Sequence, residues 1–171
     1  MGNLNTPQKR TLDDIGTYLA DHVCGEAKIR SLLEERQGKV HTITQSKSVY
    51  DALEIMSEQG IGALVVVEEG LVVGVMSERD YARKVILTGR ASRDTTVREI
   101  MSWPAKTVSP DHTVSECMTL MTECRIRHLP VIDKGRLTGI VSVGDLVKAV
   151  IADQGVRLEQ FEKYIRGAYP A

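Results

Sequence analysis

Apolar positions along this chain change period several times, and each change marks an element. Leu12, Ile15, Leu19 and Val23 recur at helical spacing. They follow Thr11-Leu12-Asp13-Asp14, which has the form of a capping box with Asp14 in place of the usual Glu. Residues 1–10 before it are polar and read as a tail. Ile29, Leu32 and Leu33 predict a second helix that stops near Gly38. Val40–Ile43 suits a short strand, and Ser48-Val49-Tyr50-Asp51 caps a helix that buries Ala52, Leu53 and Met56. Ala63–Val67 is a continuous apolar run, as expected of a strand covered on both faces. Glu68-Glu69-Gly70 fits a tight turn, Leu71–Met76 returns as the hairpin partner, and a helix runs on from Ser77 through Tyr81 and Val85. The order is β-α-β-β-α.

That order occurs twice. The segment from Thr42 to Val85 reappears from Thr107 to Val150 at an offset of 65, without insertion or deletion. Thr42/Thr107, Met56/Met121, Gly70/Gly135, Gly74/Gly139, Ser77/Ser142 and Asp80/Asp145 are identical pairs. The second copy reads as strand Lys106–Val108, capping box Thr113-x-x-Glu116, strand Leu129–Ile132, turn Asp133-Lys134-Gly135, strand Leu137–Val141 and helix Asp145–Ile151. Between the copies, Thr96-x-x-Glu99 caps a short helix ending near Trp103-Pro104. It corresponds to the Ile29–Leu33 helix, with a three-residue difference in length. Leu158, Phe161, Tyr164 and Ile165 mark an amphipathic C-terminal helix. The boundaries are 1–26 for an N-terminal tail and helix, 27–90 and 91–153 for the repeats, and 154–171 for the C-terminal helix. A duplicated unit packs on its copy to cover the apolar face each leaves open. Such packing creates clefts, so function is to be sought between the repeats.

Composition narrows the classes. The 171 residues suffice for one well-buried domain or two small halves sharing a core. Hydrophobic content of 42% argues against wholesale disorder, and a net charge of −1 provides no basic field for nucleic acid or anionic membrane. The apolar runs are too short to span a bilayer and the N-terminus lacks an apolar signal core, which leads to the expectation of a cytoplasmic protein. Cys24, Cys117 and Cys124 match no zinc or redox spacing and read as reduced structural thiols. His22, His41 and His112 show no metal or triad spacing, and the chain lacks a nucleophile elbow and a GxxxxGK[ST] phosphate loop. No catalytic or metal site is expected, and the chain does not read as an enzyme.

Each copy ends in Gly-h-h-Ser-x-x-Asp: Gly74-Val75-Met76-Ser77-Glu78-Arg79-Asp80 and Gly139-Ile140-Val141-Ser142-Val143-Gly144-Asp145. Together with Arg125-Ile126-Arg127-His128-Leu129-Pro130-Val131, these units resemble a tandem pair of cystathionine β-synthase (CBS) domains over about residues 27–153. The resemblance implies an α/β fold in which two β-α-β-β-α repeats are related by a pseudo-two-fold axis, with flanking N- and C-terminal helices. It also implies a regulatory module of the stand-alone bacterial type that binds adenosine compounds in two clefts. The candidate ligands are AMP, ADP, ATP, NAD and S-adenosylmethionine. The run from Ser77 to Lys84 resembles forms associated with NAD and AMP. A homodimer assembled through helices and a regulated partner protein are implied as well, with no nucleic acid or membrane partner.

The residues can be read chemically beside that frame. Asp80 and Asp145 suit the paired hydroxyls of a ribose, since a carboxylate accepts from both. Ser-x-x-Asp is also a capping-box variant, and the two roles can coexist, with Ser77 and Ser142 turning a hydroxyl toward phosphate at a helix N-terminus. Ile61, Gly62 and Ala63 allow a ligand close to backbone, and Ile61 and Ile126 either flank an adenine ring or pack in the core. The resemblance places Arg127 and His128 at phosphates and the backbone of Thr42-Ile43 and Thr107-Val108 at the adenine edge. Arg79 is a further candidate cation. Across the repeat Gly62 stands against Arg127, Ala63 against His128, and Arg79 against Gly144. The Asp80 cleft is therefore expected to favour phosphate-rich ligands, and the Asp145 cleft a bulkier or less charged group. Two other functions stay open at this point: a structural dimerisation module with vestigial sites, and an enzyme of unknown type using the same cleft.

Overall fold

The computed structural model describes residues 27–35 and 39–153. Its elements are α1 (Ile29–Glu35), β1 (Thr42–Ile43), α2 (Val49–Gln59), β2 (Ala63–Glu68), β3 (Leu71–Ser77), α3 (Glu78–Lys84), α4 (Val97–Ile100), α5 (Val114–Glu123), β4 (His128–Asp133), β5 (Arg136–Ser142) and a final helix α6 over 143–153. The expected Thr11 capping box and Leu12–Val23 helix, Cys24 and the Leu158–Ile165 stripe lie outside the described residues.

Two hairpins form the scaffold, β2 with β3 and β4 with β5. Each closes on a two-residue turn with positive φ at both positions: Glu69 and Gly70 at 49° and 79°, Lys134 and Gly135 at 47° and 78°. This backbone twist matches the right-handed twist of the flanking strands. β1 adds in parallel to β2, with Thr42 opposite Val65 and Ile43 opposite Val66. The second repeat keeps only one such link, a parallel bridge between Val108 and Val131. The strands Val40–Ile43 and Lys106–Val108 are thus shorter than expected, because only their last residues pair with the hairpin. The helix starts follow the sequence closely. Ser48 with Asp51, Ser77 with Asp80, Thr96 with Glu99 and Thr113 with Glu116 all form reciprocal capping boxes. α4 ends sooner than expected: Met101 is already extended, and Ser102 bridges Val75 on the outer edge of β3.

The core is double, and each half is completed by the segment that precedes the other. α1 stands before the first repeat, yet fully buried Ile29 belongs to the cluster of Val114, Cys117, Leu129 and Val141. α4 stands before the second repeat, yet Val97 and Ile100 close the cluster of Val49, Met56, Leu64 and Met76. Backbone bonds fix the exchange in matched pairs. Val49 N–H donates to Thr95 O (2.8 Å) and Val114 N–H to Ala27 O (2.9 Å), while Val97 N–H donates to Lys47 O and Ile29 N–H to His112 O, both at 2.9 Å. The repeats superpose in register at an offset of 65, the crossing segments at 68, which absorbs the three-residue difference.

The exchange explains why both repeats carry glycine in the middle of their outer hairpin strand. A Cβ at Gly74 would meet Met101 Sδ at 2.7 Å and the Ser102 carbonyl oxygen at 3.0 Å. One at Gly139 would run into the end of the Leu33 side chain. Gly74→Ala is therefore expected to cost about 1–3 kcal/mol, since a backbone carbonyl must move. Gly139→Ala should cost less, because only a rotatable side-chain end lies in its way. Urea unfolding of the two variants checks the order.

Candidate functional site

The pseudo-two-fold packing leaves two clefts. The larger, about 590 Å³, lies between β3–α3 of the first repeat and the chain leading into β4 of the second. The smaller, about 410 Å³, lies between the chain leading into β2 and β5–α6. Their linings correspond at the offset of 65: Ser77 and Asp80 with Ser142 and Asp145, Ile126 with Ile61, Ala105 and Lys106 with Val40 and His41. Both volumes fall in the range of small-ligand sites.

Each aspartate is held by the cap it forms. The Ser77 N–H (3.1 Å) and hydroxyl (2.6 Å) donate to Asp80 Oδ2, and the Asp80 N–H donates back to Ser77 Oγ (3.3 Å). Asp145 Oδ2 accepts from the Ser142 N–H at 2.8 Å and hydroxyl at 2.7 Å. The cap consumes one carboxylate oxygen and aims the other. Asp80 Oδ1 meets Lys84 Nζ at 2.8 Å and the Ser102 hydroxyl at 3.5 Å. Lys84 in turn donates to the Ile100 carbonyl, tying this carboxylate to α4. The second repeat has Ala149 where the first has Lys84. The two carboxylates are thus built alike and surrounded differently.

Charge separates the clefts further. The larger is lined by six cationic side chains, Arg79, Arg83, Lys84, Lys106, Arg125 and Arg127, against the two carboxylates of Glu78 and Asp80. The smaller has Lys39 against Asp145, with His41 and His128. Arg125 occupies a costly backbone position. Its φ is 54°, in the left-handed region that Gly60 takes at 62° in the first repeat. Its carbonyl accepts a long bond (3.5 Å) from Arg79. Burial lowers the His128 pKa, reinforced by Arg127 and opposed by Asp145, Glu78 and Asp80, so the imidazole is held toward its neutral form. Cys117 is buried in the second core, where desolvation pushes its thiol up to about 12.

Of the residues singled out from the sequence, the larger cleft gathers Gly62, Ser77, Arg79, Asp80, Ile126, Arg127, His128 and Ser142. The smaller gathers Ile61, Gly62, Ala63, His128, Ser142 and Asp145. Thr42, Ile43, Thr107 and Val108 line neither. Ile43 and Val108 turn into the two cores, and the chain just before them, 39–41 and 104–106, forms the cleft walls instead. Arg83, Lys84, Lys106 and Arg125 were not anticipated as cleft residues. Lys106 could have been found by moving one residue back from Thr107, and Arg125 by its place opposite Gly60 in the repeat. Among the described residues no group of three or more His, Cys, Asp or Glu could hold a metal ion. No helix among them is long and apolar enough to cross a membrane.

A doubled α/β unit with two ligand-sized clefts at its internal dyad defines a paired binding module. Residues 35–86 and 97–152 each match the CBS domain family, and the chain belongs to it. A relative in Arabidopsis thaliana, the mitochondrial CBS domain-containing protein CBSX3, is 44% identical over 131 residues. That match covers 74% of this chain and 64% of the relative, so just under two thirds of the plant protein is represented. The structure of a protein with CBS domains from Burkholderia ambifaria MC40-6 is 48% identical with a TM-score of 0.72, covering 75% of this chain and 96% of that one. The CBS-domain containing protein ATU1752 from Agrobacterium tumefaciens is 35% identical with a TM-score of 0.68, over 72% of this chain and 98% of its own. Proteins of this family are generally regulatory sensors of adenosine-containing ligands.

Two outcomes follow from the geometry. Arg125→Gly, which installs the residue found at the matching position 60, is expected to stabilise the fold by about 1 kcal/mol in urea unfolding. For His128, the folded state resists a proton that the unfolded chain accepts. Its contribution to stability should therefore decline as pH falls below about 6.5, where the unfolded imidazole begins to charge. Melting curves from pH 8 to pH 5 should show a shallower acid loss in His128→Gln than in the parent.

Proposed function

We propose that this chain is a sensor of adenosine-containing ligands, AMP or NAD foremost, whose occupancy changes its interaction with a regulated protein. One observation carries the reading: each cleft presents an aspartate fixed at a helix start, opposite the approach to the other repeat's hairpin. The oxygen left outside the cap can accept from a ribose hydroxyl, in the Asp80 cleft by exchanging its contact with Lys84, and the helix start favours a nearby phosphate. Ile126 in one cleft and Ile61 in the other supply apolar surface for a base. ADP, ATP and S-adenosylmethionine are further candidates of the same chemistry.

The clefts are not equivalent in this reading. Arg127 and Arg125 give the Asp80 cleft guanidinium groups that grip phosphate, where the Asp145 cleft has Gly62 and Gly60. The first takes the phosphate-rich ligand and the second tolerates a less charged group. The assembly is a homodimer. Val143, Val147 and Ile151 are exposed at successive turns of α6, an apolar stripe suited to a second copy.

Calorimetry and melting shifts with AMP, ADP, ATP, NAD and NADH test the reading. Micromolar binding corresponds to about −8 kcal/mol, and ligand at a hundred times Kd should add about 2.7 kcal/mol of stability. No heat and no melting shift with any of them would defeat it. Asp80→Ala and Asp145→Ala should each weaken one site about ten- to a hundredfold without unfolding the chain. Arg127→Ala should weaken phosphate-dependent binding at one site and spare the other. Light scattering at tens of micromolar should report a dimer, and a monomer would remove that part of the proposal.

A further inference from the structure

The two clefts share a wall. Gly62, His128 and Ser142 line both. Gly62 has no side chain, and the Ser142 hydroxyl is committed to Asp145. His128 is therefore the shared side chain whose charge can respond to a change in its surroundings. Its backbone opens β4 and is held opposite Ser142 on β5, so the ring is anchored between the clefts rather than carried on a loop. Charged groups reach it from both sides: Glu78 and Asp80 on α3, Asp145 on α6, and Arg127 beside it in the chain. Arg79, Arg83, Lys84, Lys106 and Arg125 also line the larger cleft, and Lys39 and His41 the smaller.

Burial keeps this ring toward its neutral form while the surrounding carboxylates draw it toward the imidazolium. The balance is open to a new charge. A phosphate entering either cleft adds negative charge beside the ring and favours the protonated form. The imidazolium then presents a cation to the other cleft as well. Two anionic ligands in adjoining clefts would otherwise repel one another. We propose that His128 couples the two clefts: binding of a phosphate-bearing ligand in one is accompanied by proton uptake at His128, and the resulting imidazolium favours a phosphate-bearing ligand in the other. The coupling is reciprocal by linkage. It rests on the adenosine-ligand reading and adds to it a specific residue and a proton. The matching position in the first repeat is buried Ala63, so this fold already carries alanine at an equivalent strand start.

The test is calorimetry of the full chain with AMP near neutral pH, in two buffers of different ionisation enthalpy, which counts protons per ligand. The parent protein is compared with His128→Ala and His128→Gln. AMP's own second ionisation is common to all three proteins and cancels in the difference. The parent is expected to take up more protons per AMP than either variant. Beyond the intrinsic difference between the clefts, the second AMP should bind about fivefold more weakly relative to the first in the variants than it does in the parent. Equal proton counts in the parent and variants, with AMP bound in all, would overturn the coupling and leave the sensor reading standing. Loss of all AMP binding in both variants would also overturn it, by assigning His128 to ligand contact alone. An absence of AMP, ADP, ATP and NAD binding in the parent would remove both the coupling and the reading beneath it.

Discussion

Each half of this molecule is finished by a segment that belongs, in sequence, to the other. The first turn of α1 seals the second core through Ile29, and α4 seals the first through Val97 and Ile100. A β-hairpin with two helices is too small to bury its own apolar surface, and the crossing segments provide the missing cover. Much else follows from this constraint. It places Met101 over Gly74 and Leu33 over Gly139, which excludes larger residues from the middle of the outer strands. It brings the chain at 39–41 and at 104–106 past the ends of the hairpins, where these segments become cleft walls. The clefts are therefore a consequence of how the cores are closed.

Within that frame, the carboxylates that cap the helices are the ones the proposed function assigns to the ligand. Asp80 and Asp145 stabilise their helix starts by accepting from Ser77 and Ser142, and the same bonds fix the carboxylates at the cleft walls. A cap is rigid and sits at the positive end of a helix, so the surroundings already favour an anion before any ligand arrives. The duplication supplies two such positions, and divergence around them supplies the difference. Lys84 against Ala149, Arg127 against Gly62 and His128 against Ala63 turn one ancestral geometry into two electrostatic environments. Arg125 shows what the asymmetry costs, since it holds a left-handed backbone at which its counterpart uses glycine.

The sequence was legible where the determinants are local. The turns at Glu69-Gly70 and Lys134-Gly135, the capping residues Ser48, Thr96 and Thr113, and the hairpins themselves follow from rules spanning four to eight residues. The offset of 65 carried more, because identical spacing in two copies implies equivalent places in space. It links Asp80 to Asp145 and aligns Arg127 with Gly62 from sequence alone. The edge strands were less legible. Val40–Ile43 has the β-branched residues of a strand at three of its four positions, but its pairing is limited to Thr42 and Ile43 because hydrogen bonding depends on where the hairpin edge lies. Thr42 and Thr107 illustrate the same limit: they are identical in both copies, yet they sit one residue beyond the cleft walls.

The sequence alone determined the repeated β-α-β-β-α unit, the reciprocal caps at its helix starts and the unequal chemistry at matched positions. These depend on residue identity and on short or exactly periodic separations. The tertiary structure alone decided which core each linking helix enters, since Ile29 and Val97 have the same apolar character whichever sheet they cover. It also decided which cations gather around Asp80. Arg83 and Lys84 share a helix with Asp80, but Lys106 and Arg125 lie far along the chain, and only the packing of one repeat on the other brings their charges to the same cleft. The placement of His128 in the wall common to both clefts has the same origin, because a shared boundary exists only once two surfaces have met.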